Sequence, residues 1–147
     1  MDVSLALGFA GCAAAVGLAA LGSAIGCAIG GSASHGAMAK VEEGHGKYIG
    51  MSAAPSSQTI YGIVLMFVLF DKVNAEAGIG LLGIGVFCGL AMLVSAWFQG
   101  TVIASAIQAS TKKPELFGKC FAAVGIVESF ALFALVGGLI IVGMIGT

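Results

Sequence analysis

Nearly every charged residue of this 147-residue chain falls into three short clusters or at the N-terminus, and the runs between them are long and apolar enough to cross a bilayer. The clusters are Lys40, Glu42, Glu43 and Lys47; then Asp71, Lys72 and Glu76; then Lys112, Lys113, Glu115 and Lys119. The intervening spans run from about Val3 to Ser34, Tyr48 to Phe70, Ile79 to Ser110 and Phe117 to Gly146. Backbone polar groups in lipid must bond within the protein, and runs of this length without strict alternation satisfy that as helices, not as barrel strands. The expected fold is an all-α membrane protein of four transmembrane helices.

Composition agrees, with 59% hydrophobic residues, 9% charged residues and a mean hydropathy of +1.10. A net charge of -1 without a basic tract excludes nucleic acid as a partner. The apolar run after Met1-Asp2-Val3 lacks a positive leader and exceeds a signal peptide's core, so it reads as a retained helix. Cys12, Cys27, Cys88 and Cys120 have neither zinc nor disulfide-framework spacing, and His35 and His45 form no ligand pattern with the nearby glutamates. Gly78-Ile79-Gly80-Leu81-Leu82-Gly83 spells a dinucleotide fingerprint but opens an apolar span, where the required strand cannot precede it. The lysine-rich loops, residues 35–47 and 111–116, fall on one side of a four-span chain, which the positive-inside rule makes cytoplasmic.

Sliding the chain along itself by 72 positions superimposes Ser23-Ala24 on Ser95-Ala96, Lys40 on Lys112 and Gly46-Lys47 on Gly118-Lys119. The chain therefore reads as two fused helical hairpins, residues 1–74 and 75–147, in the same orientation. Gly22, Gly26 and Gly30 form one small-residue stripe, and Gly11, Ala15, Ala19, Ser23, Cys27 and Gly31 form another. Such stripes let helix backbones approach closely. The second and fourth spans are bulky, so the first and third are expected to form a tight inner layer and the others an outer one.

One acid breaks the pattern. Glu128 lies nine residues past Lys119, near the midplane at about 1.5 Å per residue. An acid there costs about 2.5–3.5 kcal/mol on insertion scales, which marks it as functional. Gln58 on the second span and Gln99 on the third lie at matching depth. Pro55 cannot donate to the carbonyl four residues earlier, and Ser57, Gln58 and Tyr61 follow it within about one turn. A hydroxyl, an amide, a phenol and freed carbonyls around one carboxylate make a hard-oxygen site for a small cation such as Na+. A proton is the competing cargo of the same carboxyl, since neutralising a buried acid removes its desolvation cost.

At these residues the sequence resembles the proteolipid, or c/K subunit, of V-type rotary ATPases along essentially its whole length. The resemblance rests on the duplicated hairpin, Pro55 to Tyr61, Phe98-Gln99-Gly100, Lys112-Lys113-Pro114-Glu115 and Val127-Glu128-Ser129. It implies a homo-oligomeric rotor ring in a prokaryotic cell membrane, turning against a membrane stator subunit with a cationic side chain. Central-stalk subunits would meet the cytoplasmic loops, and ATP hydrolysis would occur elsewhere in the complex, with no catalytic site on this chain. Similarity to the sodium-translocating branch implies Glu128, Gln58, Gln99, Ser57, Tyr61 and the carbonyl of Ala54 as Na+-binding residues. Ser57 and Ala54 stand where threonine and leucine also occur in that branch. The duplication sets Ser56 against Glu128 and Cys27 against Gln99, leaving one carboxylate and one ion per chain. Two other readings stay open on residues alone: a small channel or secondary-transporter subunit, and a purely structural packing protein.

Overall fold

A computed structural model describes residues 2–145. The first span is α1 (Val3–Met38). The second comprises α2 (His45–Ser52), a 3-10 turn (Ala54–Ser56) and α3 (Ser57–Asp71). The third is α4 (Gly78–Lys112), and the fourth is α5 (Phe117–Gly143), entered through a 3-10 turn (Pro114–Leu116). Among the described residues, four helical spans are long and apolar enough to cross a membrane, arranged as two hairpins. Gly146, the expected end of the fourth span, lies outside the described residues.

The first three spans outrun the apolar segments that announced them, whereas α5 ends at Gly143. Hydropathy marks where lipid ends, whereas a helix continues into water as long as its backbone bonds allow. At 36 and 35 residues, α1 and α4 are about 54 and 52 Å long, well beyond a hydrocarbon core of roughly 30 Å. The connection expected over 35–47 thus shortens to residues 39–44, and that expected over 111–116 to Lys113 and the 3-10 turn after it.

Local chemistry sets each end. The carboxylate of Asp2 accepts from the Ser4 amide and caps α1. Gly44 enters α2 with φ of +75°, a left-handed conformation that costs glycine little. Lys113 is extended because Pro114 disfavours helical geometry in the residue before it. Asn74 Oδ1 accepts from the amides of Glu76 and Ala77, and Ser4 Oγ accepts from that of Gly78, so α4 is capped partly by α1.

The expected layers form. The tightest packing joins α1 and α4, which run parallel with equivalent positions of the two hairpins at similar depth. A Cβ at Gly11 would overlap the backbone of Leu81, one at Gly22 that of Leu93, and one at Gly26 the carbonyl of Ala96. Gly85 and Gly100 on α4 meet Gly11 and Gly26 in the same way. Gly30 completes this stripe against Ile103 and Ser52. The second stripe divides: Gly11 meets Leu81 of α4, Ala15 and Ala19 receive Gly62 of α3, and Gly31 faces open space. Helix α3 packs on α1, and α5 on α4, with α3 and α5 also touching each other. Two buried clusters result, one around Leu65, Leu69, Leu81 and Met92, the other around Tyr48, Met51, Ile103 and Ile107.

Candidate functional site

Between these clusters, where α3, α4 and α5 converge, lies a connected set of polar side chains. Tyr61 Oη donates to Glu128 Oε1 at 2.7 Å. Gln99 Nε2 lies 3.5 Å from Glu128 Oε2, a long hydrogen bond, and donates to the Val124 carbonyl at 3.3 Å. Gln58 Nε2 donates to Gln99 Oε1 at 3.0 Å. Ser57 Oγ donates to the Ala54 carbonyl at 2.9 Å and lies 3.2 Å from Gln58 Oε1. Both glutamines are fully buried, while Glu128, Tyr61 and Ser57 are partly exposed at the outer surface of the bundle.

All six expected residues thus fall in one neighbourhood, in two ranks. Tyr61 and Gln99 bond Glu128 directly. Gln58 reaches it through Gln99, and Ser57 and Ala54 sit one step further along the chain of hydrogen bonds. The Ala54 carbonyl, Ser57 Oγ and Gln58 Oε1 together give hard oxygens beside a single carboxylate, suited to a small monovalent cation. No buried side-chain polar atom among the described residues lacks a partner, so the network is internally complete.

Pro55 makes this arrangement possible. It divides the second span into α2 and α3, and the new start of α3 leaves amides without intrahelical partners. One is satisfied from outside: the Thr59 amide donates to Ser23 Oγ of α1 at 3.1 Å. The counterpart of Ser23 in the second hairpin, Ser95, instead donates to the Val127 carbonyl of unbroken α5 at 2.9 Å, next to Glu128. Ser23, Ser95 and the Val124 carbonyl were not among the expected site residues. The two serines were visible as a repeated pair in apolar spans at the depth of the acid, whereas nothing in the sequence distinguishes the Val124 carbonyl.

Comparison with known proteins places this geometry in a family. The sequence profile of the ATP synthase C-subunit family matches residues 5–69 and 82–141, one segment in each hairpin. The chain belongs to this family. It is an integral membrane protein, which accounts for four apolar spans around one acid. The chain is also 40% identical over 118 residues to the A-type ATP synthase subunit K of Methanocaldococcus jannaschii, a match covering 78% of this chain and 53% of that protein. It is 30% identical over 98 residues to the V-type sodium ATPase subunit K of Enterococcus hirae, covering 64% of this chain and 63% of that protein. In both cases the matched segment spans less than two thirds of the relative.

Proposed function

We propose that this chain is the rotor-ring subunit of a rotary ATPase of the V/A type and that each copy carries one Na+ on Glu128. The observation that carries the reading is the joining of the intramembrane carboxylate to oxygen-bearing side chains of two other spans. Tyr61 holds one oxygen of Glu128, leaving the other on the side of Gln99, Gln58, Ser57 and the Ala54 carbonyl. The family match and two relatives named as subunits K of an A-type ATP synthase and a V-type sodium ATPase support the ring. The name of the enterococcal relative supports sodium.

In this mechanism Glu128, neutralised by its ion, travels with the ring through lipid and meets a cationic side chain of a stator subunit, which displaces the ion into an aqueous path. Rotation and transport are thereby coupled. The loops around Lys40 and Lys112 face the cytoplasm and meet the central stalk, in the cell membrane of a prokaryote. One carboxylate per pair of hairpins lowers the ions moved per turn and favours a pump that builds a steep gradient.

A proton is the second reading. It is favoured by the two-rank geometry, in which the hydrogen bonds of Ser57 and Ala54 go to each other and to Gln58, and a proton on Glu128 would need neither. The test is equilibrium binding of radioactive sodium to the purified assembly. One saturable site per chain, lost in Glu128→Gln, is expected; no saturable binding at any pH rejects sodium.

A further inference from the structure

We propose that Ser95 is a positioning residue for Glu128: its hydroxyl, bonded to the Val127 carbonyl, sets the height and rotation of α5 so that the carboxylate meets Tyr61 and Gln99 at fixed distances. This rests on the reading of Glu128 as the ion carrier. It adds a residue whose hydroxyl bonds the backbone beside the acid.

Packing leaves this stretch of α5 loosely defined. The buried residues of α5 are Val124, Ala131, Leu135, Gly138 and Val142, and none of residues 125–130 is buried. Glu128 therefore lies in a segment that hydrogen bonds, more than side-chain packing, hold in place. Ser95 Oγ donates to the Val127 carbonyl at 2.9 Å and Gln99 Nε2 to the Val124 carbonyl at 3.3 Å. The two donors stand four residues apart on α4 and their acceptors three apart on antiparallel α5, so together they fix both where α5 sits along α4 and how it is turned. Gln99 divides its amide between the Val124 carbonyl and Glu128 Oε2, 3.5 Å away, which leaves Ser95 as the shorter and undivided anchor.

The partner that Ser95 takes sets it apart. A hydroxyl within a helix commonly bonds a carbonyl three or four residues earlier in the same helix. Thr101, Ser105, Ser110 and Thr111 of α4 all do so. Ser95, 5% exposed, crosses to α5 instead. The Val127 carbonyl lies inside an unbroken helix and already receives the amide four residues later, so the bond meets no unfilled need of α5. Its repeat equivalent Ser23 does meet such a need, accepting from the Thr59 amide at the break in the second span. That first hairpin carries Ser56 where the second carries Glu128. The bond to an outer-span carbonyl thus occurs in the hairpin that has an acid to place.

The test compares Ser95→Ala, Ser95→Thr and Ser110→Ala in assemblies purified from membranes. Two quantities are read: the sodium concentration that half-protects Glu128 from a hydrophobic carbodiimide, and the infrared carboxyl stretch of protonated Glu128, identified by its loss in Glu128→Gln. Loss of a hydrogen bond behind a metal ligand typically costs about 10–100-fold in affinity, so Ser95→Ala is expected to raise the half-protecting concentration by that factor and to shift the stretch. Ser95→Thr keeps the hydroxyl and is expected to restore both. Ser110→Ala removes a buried hydroxyl that bonds its own helix at Ala106 and is expected to match the parent. An unchanged stretch in Ser95→Ala, a change that Ser95→Thr fails to restore, or loss of assembly in Ser95→Ala overturns the positioning role. An unchanged half-protecting concentration overturns it too where the parent is protected. Absence of sodium protection in the parent overturns the sodium reading alone, and the stretch then decides for Ser95 with a proton as the cargo.

Discussion

The phenol of Tyr61 on α3 donates to Glu128 Oε1 on α5 at 2.7 Å, a contact between residues 67 positions apart that ties the broken span to the acid-bearing one. Helix α4 joins the same knot through Gln99, so the carboxylate is held by the packing of three helices. Its orientation is a property of the bundle, and its position should respond to changes in any of them.

Tyr61→Phe keeps the ring and removes this donor. A hydrogen bond to a charged group contributes about 1.5–3 kcal/mol, which corresponds to roughly a tenfold to hundredfold change in an equilibrium. Sodium affinity is expected to fall by that factor while the number of sites per chain stays unchanged. Radioactive-sodium binding isotherms of the variant and parent assemblies provide the check.

Ser57→Ala separates the two cargo readings. Ser57 bonds the Ala54 carbonyl and neighbours Gln58, and it reaches Glu128 through that chain of hydrogen bonds. If its oxygen belongs to a sodium shell, the variant weakens sodium binding while leaving proton uptake by Glu128 unchanged. Sodium and pH titrations of transport in reconstituted vesicles distinguish these effects; equal sodium dependence in variant and parent removes Ser57 from the site.

Ser23→Ala should harm the protein more than Ser95→Ala, although the repeat makes them equivalents. Losing Ser23 leaves the Thr59 amide at the start of α3 without its acceptor, a cost of about 1–3 kcal/mol if water cannot reach it. Losing Ser95 frees one lone pair of the Val127 carbonyl, which has two. Thermal unfolding of the assembly in detergent is expected to rank Ser23→Ala below Ser95→Ala, and a reversed order would contradict this account.

Gly26→Ala tests the seam between α1 and α4. A Cβ there would overlap the Ala96 carbonyl and come within 2.7 Å of the Pro55 Cβ, so α1 must separate from both neighbours. Overpacking of this kind costs about 1–3 kcal/mol. Gly118→Ala, where a Cβ meets nothing within 4 Å, is expected to leave stability unchanged or slightly higher. Melting temperatures of the two variants decide the point.

Much of this arrangement was legible before the fold was known, because lipid leaves few choices. Charge clustering located all four spans, Pro55 announced the break in the second, and the glycine stripe named the faces that bring α1 and α4 together. The acid at Glu128 and the two glutamines followed from depth alone. Helix ends were less legible, since α1 continues through residues 35–38 after apolar character fades. The two ranks of the site were also hidden: whether Gln58 meets Glu128 directly or through Gln99 depends on side-chain rotamers and helix rotation, which residue spacing does not encode. The unlike roles of Ser23 and Ser95 arise because Pro55 breaks one outer span while Val127 occupies the equivalent place in the other.

The most direct test of Glu128 as a sodium carrier is its rate of modification by a hydrophobic carbodiimide in the purified assembly, measured with and without sodium across a range of pH. The reagent attacks the protonated acid, so a bound sodium ion should slow the reaction, and this protection should weaken as pH falls and protons displace the ion. A rate that follows pH and ignores sodium would contradict the sodium reading in favour of the proton, and a Glu128 that never reacts would contradict the carrier role itself.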